Sequence, residues 1–210
     1  MKSETMWDRL ANNWDTPGVS LGANDLQIIA KVKKYLSAGD SVLDYGCATG
    51  SIAQEIANTA RVVRGIDLSS KMIEIARRKA EERKIKNIEF AHAAIFDESL
   101  KERSFDLILA FSVLHLLEDP IQVVDRIHQL LKPGGLFISA TPCLGEKKFV
   151  SLLINIPVFL LSKIGILPHI KFFSVHGLAG SITNQKFQIV ENESLSVQPI
   201  TEHFVVAKKS

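Results

Sequence analysis

The run Val42-Leu43-Asp44-Tyr45-Gly46-Cys47-Ala48-Thr49-Gly50 constrains this chain more than any other stretch. Short apolar residues lead into a loop of small ones, and apolar Ile52, Ala53, Ile56, Ala57 and Ala60 follow at helical spacing. That succession reads as a buried strand, a tight turn and an amphipathic helix. Gly46 and Gly50 carry no Cβ, so a ligand can approach the backbone closely. The turn also aims the N–H groups of the helix start at whatever sits above the strand. A second strand-like run, residues 61–66, ends in Asp67. A carboxylate at the tip of a neighbouring strand can accept both hydroxyls of a ribose. The combination describes a site for a nucleoside-bearing cofactor.

The spacing separates cofactors. A dinucleotide turn reads G-x-G-x-x-G and faces an anionic pyrophosphate. Here the order is Asp44-x-Gly46-x-Ala48-x-Gly50. An acid two residues before the first glycine suits a cationic ligand and argues against NAD-dependent oxidoreduction. The segment resembles the first motif, D/E-x-G-x-G-x-G, of the class I (Rossmann-like) S-adenosylmethionine-dependent methyltransferases, with Ala48 at the middle glycine. Later segments extend the resemblance. Ser104 to Phe111, continuing as Ser112-Val113-Leu114-His115, is similar to the family's fourth motif, where the end of strand four lines the methyl-transfer site. Leu131-Lys132-Pro133-Gly134-Gly135 before a strand is a frequent mark of the same family. The ordered motifs cover roughly residues 41–141.

The resemblance implies an α/β fold: a Rossmann-like, doubly wound, seven-stranded and mostly parallel sheet with an antiparallel C-terminal hairpin, plus helical N-terminal and inserted lid elements. It implies S-adenosylmethionine as cofactor and S-adenosylhomocysteine as product. Gly46, Cys47, Ala48 and Gly50 would hold the methionine part, and Asp44 its cationic amino group. Asp67 would hold the ribose hydroxyls, and Leu68 and Met72 would pack on adenine. Ala93 and Ala94 stand where the family usually has Gly-Asp. The adenine amino group would then be met by the backbone of Ala94 and Ile95, with Asp97 as a substitute acid. Ala110 and Phe111 would lie near the methyl group.

The 210 residues suit one domain: N-terminal helices or lid (1–38), cofactor core (41–141), apolar helical insertion (146–173) and C-terminal helix with hairpin (174–210). A net charge of +2 gives no general attraction to nucleic acid. Cys47 and Cys143 lie far apart and suggest neither a disulfide framework nor a metal site. The N-terminus lacks the apolar core of a signal peptide, so a cytoplasmic location is expected.

Trp7, Leu10, Ala11 and Trp14 share one face of a short helix that ends before Pro17, a core element or a lid. A helix over 24–36, capped by Asn24 or Asp25, would place Leu26, Ile29, Ala30 and Lys33 on one stripe. Ser69 caps a helix over 70–83 with Met72, Ile75, Ala76 and Ala80 inward; its Lys- and Arg-rich face is interleaved with Glu74, Glu81 and Glu82, as on a solvated surface. Asp119 and Pro120 open a helix with Ile121, Val124, Ile127, His128 and Leu131 inward, ended by Lys132-Pro133-Gly134-Gly135. Residues 149–167 are strongly apolar but interrupted by Ser151, Asn155, Pro157, Ser162 and Lys163. They read as one or two helices that roof the active site, touch a membrane surface or pack on a second subunit. Ser174 caps a helix bearing Val175, Leu178, Ala179 and Ile182, and strands at 187–190 and 203–208 close the chain.

Methyl transfer from a sulfonium needs proximity and a water-poor site more than a catalytic side chain. A base is needed when the acceptor is a hydroxyl or protonated amine, and His115 is the first candidate. Trp7, Trp14, His169 and His176 are the candidates to line the acceptor space. Residues 112–120 lack the Asn/Asp-Pro-Pro-Tyr/Phe run of adenine and glutamine amino methylation, and Pro142-Cys143 follows the fifth strand, not the fourth. A small, apolar or amphipathic acceptor is left. A silent cofactor-binding or membrane-associated regulatory subunit is the alternative.

Overall fold

The computed structural model describes residues 2–14, 21–143, 170–171, 173–197 and 200–210. The apolar insertion at 149–167 and His169 lie outside them. The strands are β1 (Ser41–Tyr45), β2 (Val62–Asp67), β3 (Ile88–His92), β4 (Phe105–Phe111), β5 (Leu131–Pro142), β6 (Phe187–Val197) and β7 (Ile200–Lys209). The helices are α1 (Lys2–Ala11), α2 (Ala23–Val32), α3 (Ser51–Ala57), α4 (Ser70–Glu82), α5 (Pro120–Leu130) and α6 (Val175–Thr183).

One sheet takes all seven strands in the order β3-β2-β1-β4-β5-β7-β6. The first five run parallel, and β7 is antiparallel to both β5 and β6. This is the sheet the motifs imply. The strand order reverses at β1, so β1 and β4 diverge to opposite sides and leave a crevice at their carboxyl ends, where open α/β sheets place ligands. β1 is buried at every position because helices cover both faces. On one face, Ile28 and Val32 of α2, Ala53 and Ile56 of α3, and Ile73 and Ala76 of α4 pack against Val42, Val63, Leu109 and Phe204. On the other, Val124 and Ile127 of α5 and Leu178 and Ile182 of α6 pack against Leu43, Ile66, Ile108 and Phe137.

The caps expected at three helices are present. Ser69 accepts the Met72 N–H, Asp119 that of Gln122, and Ser174 that of Gly177. Other expectations need correction. α2 begins at Ala23 behind Gly22, with Asp25 bonding the Gly22 N–H, and it buries Ile28, Ile29 and Val32 while Leu26 is exposed. Counting the stripe from Leu26 shifts the face by two positions. On α5, Ile121 is exposed and Val123 and Leu130 are inward. Lys132-Pro133-Gly134-Gly135 is not a helix end followed by a separate strand. It is an irregular lead-in to β5, which pairs through Leu131 with Phe105 and resumes at Leu136 opposite Leu107. Trp14 lies beyond the end of α1 and meets Trp7 edge to face at 6.0 Å.

Candidate active site

The loop after β1 is fixed to β2. The N–H groups of Gly46 and Cys47 both donate to the Ile66 carbonyl, at 2.9 and 3.1 Å. The Ala48 N–H donates to Asp67 Oδ2 at 3.0 Å, and Ser69 N–H donates to Asp67 Oδ1 at 2.8 Å. Asp67 is therefore both strand tip and loop anchor, with acceptor capacity left on both oxygens.

Space in the loop is scarce. Gly46 and Gly50 each have φ 74. A methyl at Gly46 would come within 2.9 Å of Val113 Cγ2, and one at Gly50 within 2.4 Å of the Phe90 ring. Ala48, the departure from the glycine pattern, takes φ 47, a conformation that L residues rarely adopt. The approach of Gly46 to Val113 also shows that the β1 loop abuts the chain just past β4.

Asp44 is buried between β2 and β4, opposite Gly65 and Leu109. Burial, reinforced by the nearby Asp67 charge, pushes its pKa up to about 7. Burial also raises the pKa of Asp67, against the pull of the Ser69, Ala48 and Leu68 N–H groups. The thiol of Cys47 is pushed up by burial and by both acids, so it is an un-ionised packing group. The two acids stand at the ends of β1 and β2, on either side of the small-residue loop, where their ionised forms would favour a cation.

The remaining expected residues differ in exposure. Leu68 is 40% exposed and Phe96, missed in the sequence, is 48% exposed; both present apolar surface past the tips of β2 and β3. Met72, Ile95 and Ala110 are buried in the core and present almost no surface to a ligand, so the packing of Met72 on adenine expected from the sequence is not seen in this structure. Ala94 is exposed and Phe111 half-buried. The Asp97 carboxylate accepts the Ser99 N–H at 2.9 Å and caps a surface turn. α1 lies over the start of α4: Asp8 Oδ1 accepts from the Ser69 hydroxyl at 2.6 Å and from the Lys71 N–H at 3.3 Å. Trp7 is half-buried on this helix, and His176 sits exposed in the first turn of α6.

His115 lies in a 3-10 turn, Leu114–Leu116, just after β4. Its carbonyl accepts the Lys171 N–H at 2.6 Å. Burial alone lowers its pKa to about 4, so the ring is neutral at pH 7. Its Nδ1 is buried without a partner among the described residues.

A polar group absent from the sequence expectations stands beside it. Ser112 has φ 51 and an exposed side chain, and its hydroxyl donates to Glu202 Oε1 at 2.8 Å. Glu202 lies near the start of β7, opposite Pro142, and is 9% exposed. The Asn24 amide donates to its other oxygen, Oε2. The one signal in the sequence was a Thr-Glu-His run opening an otherwise apolar strand.

The site fits S-adenosylmethionine. The glycine positions form a cradle that side chains would fill, Asp67 has spare acceptors that would suit a diol, and Asp44 is a buried acid that would pair with a cationic amino group. When bound, that cofactor supplies an electrophilic methyl group on sulfur.

The family profile described as "Methyltransferase domain" matches residues 36–158. The "Ubiquinone biosynthesis O-methyltransferase" of Acinetobacter baylyi is 27% identical over 173 residues, covering 81% of this chain and 72% of its own. Among solved structures, a SAM-dependent methyltransferase from Methanosarcina mazei superposes with TM-score 0.74 at 20% identity, covering 85% of this chain and 96% of its own. The geranyl diphosphate C-methyltransferase of Streptomyces coelicolor superposes with TM-score 0.71 at 14% identity, covering 88% and 77%. With the matched profile, the seven-stranded sheet and the acid-glycine loop together, this chain belongs to the class I S-adenosylmethionine-dependent methyltransferases.

Proposed function

We propose that this enzyme methylates a hydroxyl group of a small, apolar or amphipathic molecule. The observation that carries the reading is the similarity over four-fifths of the chain to O-methyltransferases named for ubiquinone biosynthesis. The apolar run 149–167, placed after β5, supports an apolar acceptor, because enclosed sites need apolar walls. In this reading the chain acts as one domain in the cytoplasm. Asp44, the Gly46–Gly50 loop and Asp67 hold the cofactor, Leu68 and Phe96 flank its adenine, and Trp7, Trp14, His169 and His176 border the acceptor.

The roles follow from the chemistry of each group. The acids attract and orient a cationic ligand, and α1, fastened through Asp8 to Ser69, shields it from water. Calorimetric titration with S-adenosylmethionine, S-adenosylhomocysteine and NAD, followed by methyl transfer to catechols with lengthening 4-alkyl chains, tests the reading. We expect binding of the two sulfur nucleosides alone and kcat/KM that rises with chain length. An acceptor methylated on nitrogen or carbon in preference to these hydroxyls would overturn it.

A further inference from the structure

We infer that Ser112 and Glu202 form a proton relay that deprotonates the acceptor hydroxyl during methyl transfer. The inference rests on the hydroxyl-methylation reading above. Three observations carry it.

Ser112 is in the right place. It directly follows Phe111 at the tip of β4, the strand beside β1, and the next residue, Val113, touches the Gly46 turn of the cofactor loop. The residue is exposed, while its hydroxyl reaches inward to Glu202 in a part-buried hydrogen bond. Its φ of 51 departs from ordinary strand geometry, and such strain concentrates where a side chain must be aimed.

Glu202 is built as an acceptor. It is a buried carboxylate, and among the described residues its side-chain hydrogen-bond donors, Ser112 and Asn24, are neutral. A buried carboxylate is ordinarily matched by a cation or by a full set of donors. Two bonds fill about half of its lone pairs. The remaining lone pairs leave Oε1 free to take the Ser112 proton as Ser112 takes that of the acceptor.

Asn24 fixes the carboxylate. Its amide nitrogen holds Glu202 Oε2 from the start of α2, which leaves Oε1 turned to the Ser112 hydroxyl.

The step balances. As the acceptor oxygen bonds to the methyl carbon, the carbon–sulfur electron pair returns to sulfur. The hydroxyl proton passes to Ser112 Oγ while the Ser112 proton passes to Glu202 Oε1. Release of that proton to solvent resets the pair.

The test compares two acceptors in one mildly alkaline buffer: 4-propylcatechol, which keeps its proton there, and 4-nitrocatechol, which is largely ionised and needs no base. Glu202→Gln should lower kcat on 4-propylcatechol about a hundredfold, the scale of general base catalysis. On 4-nitrocatechol it should stay near wild type, with KM and S-adenosylhomocysteine affinity preserved. Ser112→Ala should reproduce the selectivity, and Glu202→Asp should restore part of the rate. Equal loss on both acceptors, or loss of S-adenosylhomocysteine affinity, would make Glu202 a pin between α2 and β4 and overturn the relay. Selectivity carried by His115→Gln instead would give the base role to His115. A wild-type enzyme that binds S-adenosylhomocysteine but methylates neither catechol would overturn hydroxyl methylation itself, and the relay with it.

Discussion

The Asp67 carboxylate accepts the backbone N–H of Ala48 at 3.0 Å, and Ala48 makes that bond from the left-handed region. The tip of β2 thus holds a strained residue of the neighbouring loop in place. An L residue in that region is destabilised by roughly 1–2 kcal/mol, while glycine loses roughly 0.5–1 kcal/mol of chain entropy on folding. Ala48→Gly should therefore stabilise the protein by up to about 1 kcal/mol, a rise in Tm of about 2–4 °C at this length. Its cofactor affinity should not fall. A lower Tm on thermal unfolding would show that the Ala48 methyl contributes more by packing than it loses by strain.

Asp67→Ala removes a ligand anchor and a loop anchor at once, leaving the Ala48 and Ser69 N–H groups without their acceptor. We expect S-adenosylmethionine binding to weaken by about 1–3 kcal/mol, the scale of unpairing hydrogen bonds to a charged group. Asp67→Asn, which keeps one acceptor oxygen, should fall between. Calorimetric affinities equal to wild type for both variants would refute the ribose assignment.

Gly50 makes a sharper case than Gly46. A methyl at Gly46 meets Val113 Cγ2 at 2.9 Å and Cβ at 3.2 Å, but at Gly50 it meets the Phe90 ring at 2.4 Å and the Ala76 methyl at 3.1 Å. Adding the conformational strain of φ 74, Gly50→Ala should destabilise by about 2–5 kcal/mol in urea unfolding. Trimming the ring with Phe90→Leu in the same chain should recover part of the loss. If it recovers none, the conformational term alone is responsible.

Much of this was legible in the chain itself. Local chemistry speaks for itself: a Ser, Asp or Ser cap before α4, α5 and α6, a strand-loop-helix after Val42, an acid at a strand tip. Elements with two readable faces were less legible. Leu26 and Ile121 fit a helical period as well as Ile28 and Val123 do, and only packing against the sheet decides which set is inside. The Lys132–Gly135 segment looked like a stop because proline and glycine end helices, but β4 pairs on both sides of it, Phe105 with Leu131 and Leu107 with Leu136, so the strand bridges the irregularity. Glu202 was illegible for a different reason. Its partners Ser112 and Asn24 are distant in sequence and meet it only once β7 inserts beside β5.

The acid pair sets a pH dependence. In the unfolded chain Asp44 ionises near the usual carboxylate value of about 4, whereas in the folded protein burial and the Asp67 charge move it up to about 7. Between those values the folded state holds a proton that the unfolded state has lost. Stability of the ligand-free protein therefore falls as pH rises through that window, and levels off above it. Binding of a cationic amino group has the opposite slope, because it needs Asp44 ionised and must expel the proton below pH 7. S-adenosylmethionine affinity should rise with pH by up to about tenfold per unit until about pH 7, then flatten. Asp67, also raised by burial, steepens the acid end of the same curve. Asp44→Asn should bind more weakly, lose the part of the slope nearest pH 7, and remove the decline in ligand-free stability. Calorimetry in buffers of different ionisation enthalpy counts the proton directly. Release of about one proton below pH 7, absent in Asp44→Asn, would place the ligand's amino group on Asp44, and a wild-type affinity that is flat with pH would take it away.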